Sequence, residues 1–309
     1  IGSEFWKYDG KLNCDNTEFW SIGKDSRFTL SGRTAIYYVL KNILLKHNVQ
    51  TVYFPSYSCS SMVQAFDELG INVEYYDVYY NEELKYNINL EQECDIFFAM
   101  NYFGYSSTNM DIYIKQFKQK GKIVIEDITH SIFSSKKYSE YSDYLVGSLR
   151  KWFPIASGGI AVNMNSKFEI NLNNKLNQNF IDIKNTAMEN KKEYIKNTNI
   201  SKAEFLSQYS ESNKILAEDY KDYQIDDESL KILMKIDLDN IKRIRIENSK
   251  LIYKKLRKNK NIKFLVEFNN ENDGLLFVPI ILENKIRDDL RKYLIEKQVY
   301  LPVHWPLEE

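Results

Sequence analysis

The sequence predicts an α/β fold: a mostly parallel central sheet flanked by helices, with a smaller α/β unit at the C-terminus. Three observations predict it. Residues 31–163 alternate short apolar segments with amphipathic ones, the strand–helix order that builds parallel sheets. The apolar segments are continuous runs, as expected for strands covered on both faces. After residue 237 a long amphipathic stretch is followed by two apolar runs and another helix-length stretch, which reads as a second, smaller unit.

In chain order, TAIYYVLKNILLKH (34–47) is the first helix, apolar at three- and four-residue spacing. TVYF (51–54) is a strand, and SMVQAFDELG (61–70) is a helix whose Gly70 suits a C-cap. NVEYYDV (72–78), DIFFAM (95–100) and KIVIED (122–127) are strands, with MDIYIKQFKQKG (110–121) as a helix ending on Gly121. Gly158 and Gly159 allow a tight turn into the strand IAVNM. Residues 165–235, rich in Asn, Lys, Glu and Tyr, read as helices with solvated faces joined by polar loops. Residues 237–259 read as one long helix, IKFLVEF (262–268) and GLLFVPIIL (274–282) as strands, and KIRDDLRKYLIEKQ (285–298) as the last helix. VYLPVHWP closes the chain. We expect a large domain over 1–236 and a small one over 237–309.

Composition narrows the function. A chain of 309 residues that is 43% hydrophobic can fill a core. A net charge of -1 gives no support for nucleic-acid binding. Three cysteines without paired spacing suggest a reducing, cytoplasmic setting and argue against a disulfide framework. The three histidines are far apart in sequence, and we expect no metal site. The longest apolar run, LLFVPIIL (275–282), is strand-sized and far short of the ~18 residues of a membrane span, and no signal peptide is visible.

Four motifs carry the chemistry. In SGRTA (31–35), Gly32 permits close backbone approach, the helix N-terminus offers amides to a phosphate, and Arg33 and Thr34 could add donors. Alone, the motif also reads as a plain serine N-cap. In VIEDITHS (124–131), Asp127 and His130 follow a buried strand, though a capping aspartate and a half-buried histidine would look the same. In GSLRKWFPIASGG (147–159), Ser148 precedes Lys151 by three residues, so a hydroxyl could reach a phosphate while the amine reaches an aldehyde. Trp152, Phe153 and Pro154 argue against an exposed basic turn. In PSYSCSS (55–61), Tyr57 or Cys59 could lie near a ring; without a histidine paired in sequence, Cys59 reads better as a small buried residue than as a nucleophile. Ligands of parallel sheets gather at the carboxyl ends of the strands. A lysine and an aspartate on that rim are what an enzyme needs to hold pyridoxal 5′-phosphate (PLP). The amine condenses with the aldehyde, and the carboxylate keeps the pyridine nitrogen protonated so that the ring draws in electrons.

Taken together, the chain resembles the DegT/StrS family of PLP-dependent sugar aminotransferases, within the fold-type-I aspartate aminotransferase superfamily. The matching pieces come in family order: SGRTA, PSYSCSS, NYFGY (101–105), NMDIY (109–113), VIEDITHS, and SLRKW followed by the glycine pair. They span residues 31–163. The resemblance implies a seven-stranded-type sheet, PLP carried on Lys151, Asp127 on the ring nitrogen, and His130 beside the ring. It implies the phosphate held by Gly32, Arg33, Thr34 and Ser148, with Tyr57 and Cys59 also in the cofactor site. It further implies a homodimer with active sites at the interface. The implied reaction moves an amino group from glutamate or glutamine onto a nucleotide-linked keto-sugar, in surface polysaccharide or amino-sugar biosynthesis. Three departures mark a divergent branch. Cys59 stands where many members stack an aromatic, a face that Tyr57 or His130 would then supply. The SLRK loop is shorter than in many members. Relatives usually continue with more helix beyond PVHWP, so the small domain is expected to be incomplete. Members that dehydrate sugars typically replace the cofactor lysine, so Lys151 favours transamination. The alternatives are a non-catalytic ligand-binding or regulatory protein on this fold, or a PLP-dependent sugar dehydratase or lyase.

Overall fold

The computed structural model describes residues 4–108, 110–172, 174–196, 200–266 and 271–305. A short helix α1 (Thr17–Trp20) leads into β1 (Asp25–Thr29) and α2 (Gly32–Leu44). Next come β2 (Thr51–Pro55), α3 (Ser60–Glu68), β3 (Asn72–Asn81), β4 (Glu83–Asn87), β5 (Ile96–Met100), α4 (Asp111–Gln119) and β6 (Ile123–Asp127). β7 (Tyr144–Ser148) is followed by a single 3-10 turn, Leu149–Lys151, and by β8 (Gly159–Asn163). Helices α5 (Gln178–Ile195), α6 (Lys202–Glu218), α7 (Asp227–Lys235) and α8 (Leu238–Leu256) follow. A two-stranded ladder of β9 (Lys263–Phe264) and β10 (Ile280–Ile281) precedes α9 (Asn284–Glu296).

The large sheet has eight strands in the order β1-β8-β7-β6-β5-β2-β3-β4. β3, β2, β5, β6 and β7 run parallel, while β8 is antiparallel to both β7 and β1. Seven strands were expected. The eighth, β4, is a hairpin return of β3, made at Glu82 with φ of 62°. Every residue of β5 and of β8 is buried, which is why IFFAM of β5 is an unbroken apolar run and β8 is apolar up to its last residue, Asn163. β3 departs from that expectation: near the sheet edge only Tyr76 and Val78 are buried, and Tyr75 and Tyr79 face outward.

Two strands went unread because their sequences are polar or short of the pattern. DSRFT of β1 pairs with β8 from Asp25 opposite Asn163 to Thr29 opposite Gly159. YLVGS of β7 lies against β6 and β8. GLLFVPIIL, expected as one strand, contributes only Ile280 and Ile281 to a ladder. Pro279 has no N–H to donate to a ladder, and Leu276 turns away, its N–H bonding Phe103 O at 3.1 Å. Of the strand expected over 262–268, residues 267 and 268 lie outside the described residues. Among the described residues, no helix is long and apolar enough to cross a membrane.

Helix α2 and the β8 hairpin meet without room for a side chain. A methyl on Gly159 would lie 2.1 Å from Ser31 O. Backbone that caps α2 cannot yield cheaply, so Gly159→Ala should destabilise the fold by about 3 kcal/mol. Urea unfolding measures this, and a loss below ~1 kcal/mol would show that the contact relaxes freely.

Candidate active site

The carboxyl ends of β6 and β7 and the N-terminus of α2 converge on one cavity of about 130 Å³. Gly32, Arg33, Cys59, Asp127, Ser148 and Lys151 line it, each expected from the sequence. Thr129 and Arg150 line it too and were not expected.

At one end lies the helix terminus. A methyl on Gly32 would sit 2.9 Å from Ser148 Cβ, so glycine is what lets the start of α2 press against the end of β7. Ser31 Oγ accepts the Thr34 N–H at 3.2 Å, and Thr34 Oγ1 donates to Tyr220 O at 2.7 Å. Thr34 therefore spends both donors inside the protein and builds the cap; it does not line the cavity. Arg33 donates to Leu216 O at 3.2 Å and lies 5.3 Å from the Tyr220 ring centroid, while its buried Nε has no partner among the described residues. Ser148 is fixed by its N–H, which donates to Thr129 Oγ1 at 2.9 Å.

At the other end lie the charged pair and a group of rings. Asp127 is 4% exposed, and its Oδ1 accepts the Thr129 N–H at 2.6 Å. Burial pushes its carboxyl above the usual range, against the pull of Thr129 and Lys151. Burial pushes the Lys151 ammonium below its usual range, against Asp127 and Cys59. Both directions have one cause: a dry site disfavours charge. His130 is fully buried, and burial pushes its imidazole well below the usual range, with Lys151 and His304 acting the same way. Its Nδ1 accepts the Phe103 N–H at 3.2 Å. The neutral ring therefore carries its proton on Nε2, which is buried and without a partner among the described residues.

Tyr57 and His130 stand beside the cavity, and a segment read only as the end of the chain joins them. Trp305 stacks on His130 with centroids 5.6 Å apart and planes at 22°, and Lys151 Nζ is 5.7 Å from the Trp305 ring centroid. His304 lies 5.7 Å from His130, and Tyr57 Oη donates to His304 O at 2.8 Å. The signal was there in PVHWP: large aromatics beside prolines are seldom left exposed. Pro306 lies outside the described residues, as does Asn109 of NMDIY. Cys59 caps α3, half-buried, with Sγ 3.1 Å from Ser61 Oγ.

The remaining motifs are scaffolding for this rim. Trp152 Nε1 donates to Thr129 O at 2.5 Å, so Thr129 ties together Asp127, Ser148 and the turn that carries Lys151. Asn101 links NYFGY to NMDIY: its Oδ1 accepts the Met110 N–H at 2.9 Å and its Nδ2 donates to Glu126 Oε1 at 2.6 Å. Glu126, on the strand face opposite Asp127, is pushed up to about 7 by burial, opposed by bonds from Ser142, Ser139 and Asn101. Among the described residues, no cluster of three or more His, Cys, Asp or Glu side chains is placed to hold a metal.

No protein-family model matches this sequence, and no curated protein matches it either. Solved structures do. PseC of Helicobacter pylori, an aminotransferase involved in the biosynthesis of pseudoaminic acid, superposes with a TM-score of 0.65 at 12% identity over 99% of this chain and 85% of its own. A DegT DnrJ EryC1 StrS aminotransferase from Brucella abortus gives 0.58 at 14% identity, covering 93% of this chain and 73% of that one. NtdA from Bacillus subtilis, solved with its cofactor PMP, gives 0.61 at 16% identity over 98% of this chain. This chain has their fold. It spans 66%, just under two thirds, of the length of NtdA. The eight-stranded, mostly parallel sheet with flanking helices is the fold-type-I architecture expected from the sequence, and the cavity at its strand ends is where that architecture places ligands.

Proposed function

We propose that this chain is a PLP-dependent aminotransferase that moves an amino group from glutamate or glutamine to a nucleotide-linked keto-sugar. One observation carries the reading: Lys151 and Asp127 line a single cavity with the N-terminus of α2 and Ser148. The residues fit the cofactor. Gly32 leaves a cradle that a methyl would fill, Arg33 Nε and His130 Nε2 are buried donors without partners among the described residues, and Asp127 is a buried carboxylate suited to a cationic ring nitrogen. The start of α2 and Ser148 would hold the phosphate, and His130 Nε2 would donate to an oxygen on the ring.

When bound, PLP supplies an electron sink that stabilises negative charge on the substrate carbon next to nitrogen. The chain supplies the rest. Asp127 keeps that sink positively charged. Lys151, whose ammonium is weakened by burial, takes the proton from the substrate carbon at Nζ and returns it later in the cycle. Trp305, stacked on His130, would flank the ring end of the site. The sugar acceptor is supported by the likeness in fold to PseC, an aminotransferase involved in the biosynthesis of pseudoaminic acid. A homodimer, a cytoplasmic location and a division into units at 236/237 belong to the same reading.

Two half-reactions test it. Glutamate or glutamine should convert the bound PLP to its amine form, and a keto-sugar nucleotide should restore it, both followed by absorbance. If only simple keto acids such as pyruvate restore PLP, the sugar assignment is wrong. Ser148→Ala should keep the fold and weaken PLP by roughly tenfold, the loss of one charge-assisted hydrogen bond. Unchanged affinity in that variant would remove Ser148 from the phosphate site.

A further inference from the structure

We infer that Arg150 is a phosphate-binding residue, which with Arg33 forms a two-guanidinium clamp on the cofactor's phosphate. The inference rests on the cofactor reading above and deepens it by naming a ligand that no sequence motif indicated.

Arg150 is the middle residue of the 3-10 turn between Ser148 and Lys151, and it lines the same cavity as Arg33, Gly32 and Ser148. Its Nε is buried and has no hydrogen-bond partner among the described residues, and the same holds for Arg33 Nε. Its guanidinium carbon lies over the Phe180 ring, 5.6 Å from the centroid, a cation–π contact that leaves the edge N–H unspent. The acid that acts on it is Glu4, and Glu4 is already bonded to Lys184 Nζ at 2.7 Å. The two guanidiniums repel one another across the site.

A lysine in such a place could shed its proton; a guanidinium cannot. Two fixed positive charges beside one hole, each with an unspent donor, are stabilised by an anion that both can reach. The fork of an arginine matches carboxylate or phosphate. The other donors here, the first amides of α2 and the Ser148 hydroxyl, favour the phosphate, which has more acceptor atoms to share among them. An unspent Nε on Arg150 also fits the order of the turn: in SLRKW the residue before the lysine would serve the phosphate end while Lys151 serves the ring end.

The test uses full-length protein freed of cofactor, with Arg150→Gln and Arg150→Lys. PLP affinity is measured by absorbance titration against pyridoxal, which lacks the phosphate, and thermal unfolding is followed with and without inorganic phosphate. We expect Arg150→Gln to weaken PLP roughly ten- to hundredfold and to leave pyridoxal unchanged. It should also lose the thermal stabilisation that inorganic phosphate gives the wild type, with Arg150→Lys intermediate. The cofactor-free variant should unfold no earlier than the wild type, because it has lost an unpaired buried charge. The clamp is overturned if PLP and pyridoxal weaken alike, if only the sugar nucleotide weakens, or if the variant unfolds earlier with its phosphate response intact. A wild type that takes up no PLP overturns the cofactor reading itself. A wild type that takes it up, with a variant of equal affinity, overturns only the clamp.

Discussion

Lys151→Ala should lose amino transfer by a factor of roughly 10³ or more, because on the proposed reading it removes the group that moves the proton. It should do so while the protein stays folded. Burial holds the Lys151 ammonium below its usual range, so folding carries a cost wherever the lysine is charged. The sign follows from linkage. Between the lowered folded value and the ordinary value of about 10.4, the unfolded chain binds the extra proton, so stability rises with pH across that window. Below the window the cost is fully present. Alanine removes it but also takes the countercharge from Asp127, so the cofactor-free variant should stay folded at neutral pH, with a flatter stability profile on the alkaline side. Turnover of the reconstituted variant and urea unfolding from pH 7 upward check both halves. A variant that is inactive because it is unfolded would leave the role of Lys151 unsupported, and one that turns over normally would exclude it.

Asp127→Asn is the second large effect. Asparagine has nearly the same shape and can still accept the Thr129 N–H that Asp127 Oδ1 accepts at 2.6 Å, so the rim should keep its geometry. What it lacks is the charge. A neutral amide cannot hold the pyridine nitrogen protonated, and the electron sink weakens just where the substrate carbon must carry negative charge. PLP should still bind, and turnover should fall by a factor of roughly 10²–10⁴. Absorbance titration and steady-state rates separate the two. A rate near that of the wild type would mean that Asp127 only tethers Thr129.

How much of this was legible in the sequence follows from where each signal resides. β5 and β6 could be read because IFFAM and the IVI that opens β6 are apolar runs in a covered sheet. β1 could not: DSRFT is held by its pairing with β8, a contact between residues far apart in the chain that leaves no mark in local hydrophobicity. GLLFVPIIL misled for the opposite reason. Its apolar residues are buried against the large sheet through Leu275 and Leu276, and Pro279 limits the ladder. Of the residues that line the cavity, those in motifs at a glycine or a strand end were readable: Gly32, Arg33, Cys59, Asp127, Ser148 and Lys151. The rest depends on tertiary assembly. Nothing local shows that Trp305 reaches His130, or that Thr129 binds Ser148 and Trp152 at once. Thr34 looked like a ligand because a capping hydroxyl and a phosphate-binding one occupy the same sequence position.

The lysine that carries the cofactor can be identified directly. The protein should be reconstituted with PLP, reduced with borohydride, digested, and its labelled peptide sequenced by mass spectrometry. We expect one label, on Lys151, and none in the Lys151→Ala variant. A label on another lysine, or an equal yield of label in that variant, would contradict the assignment.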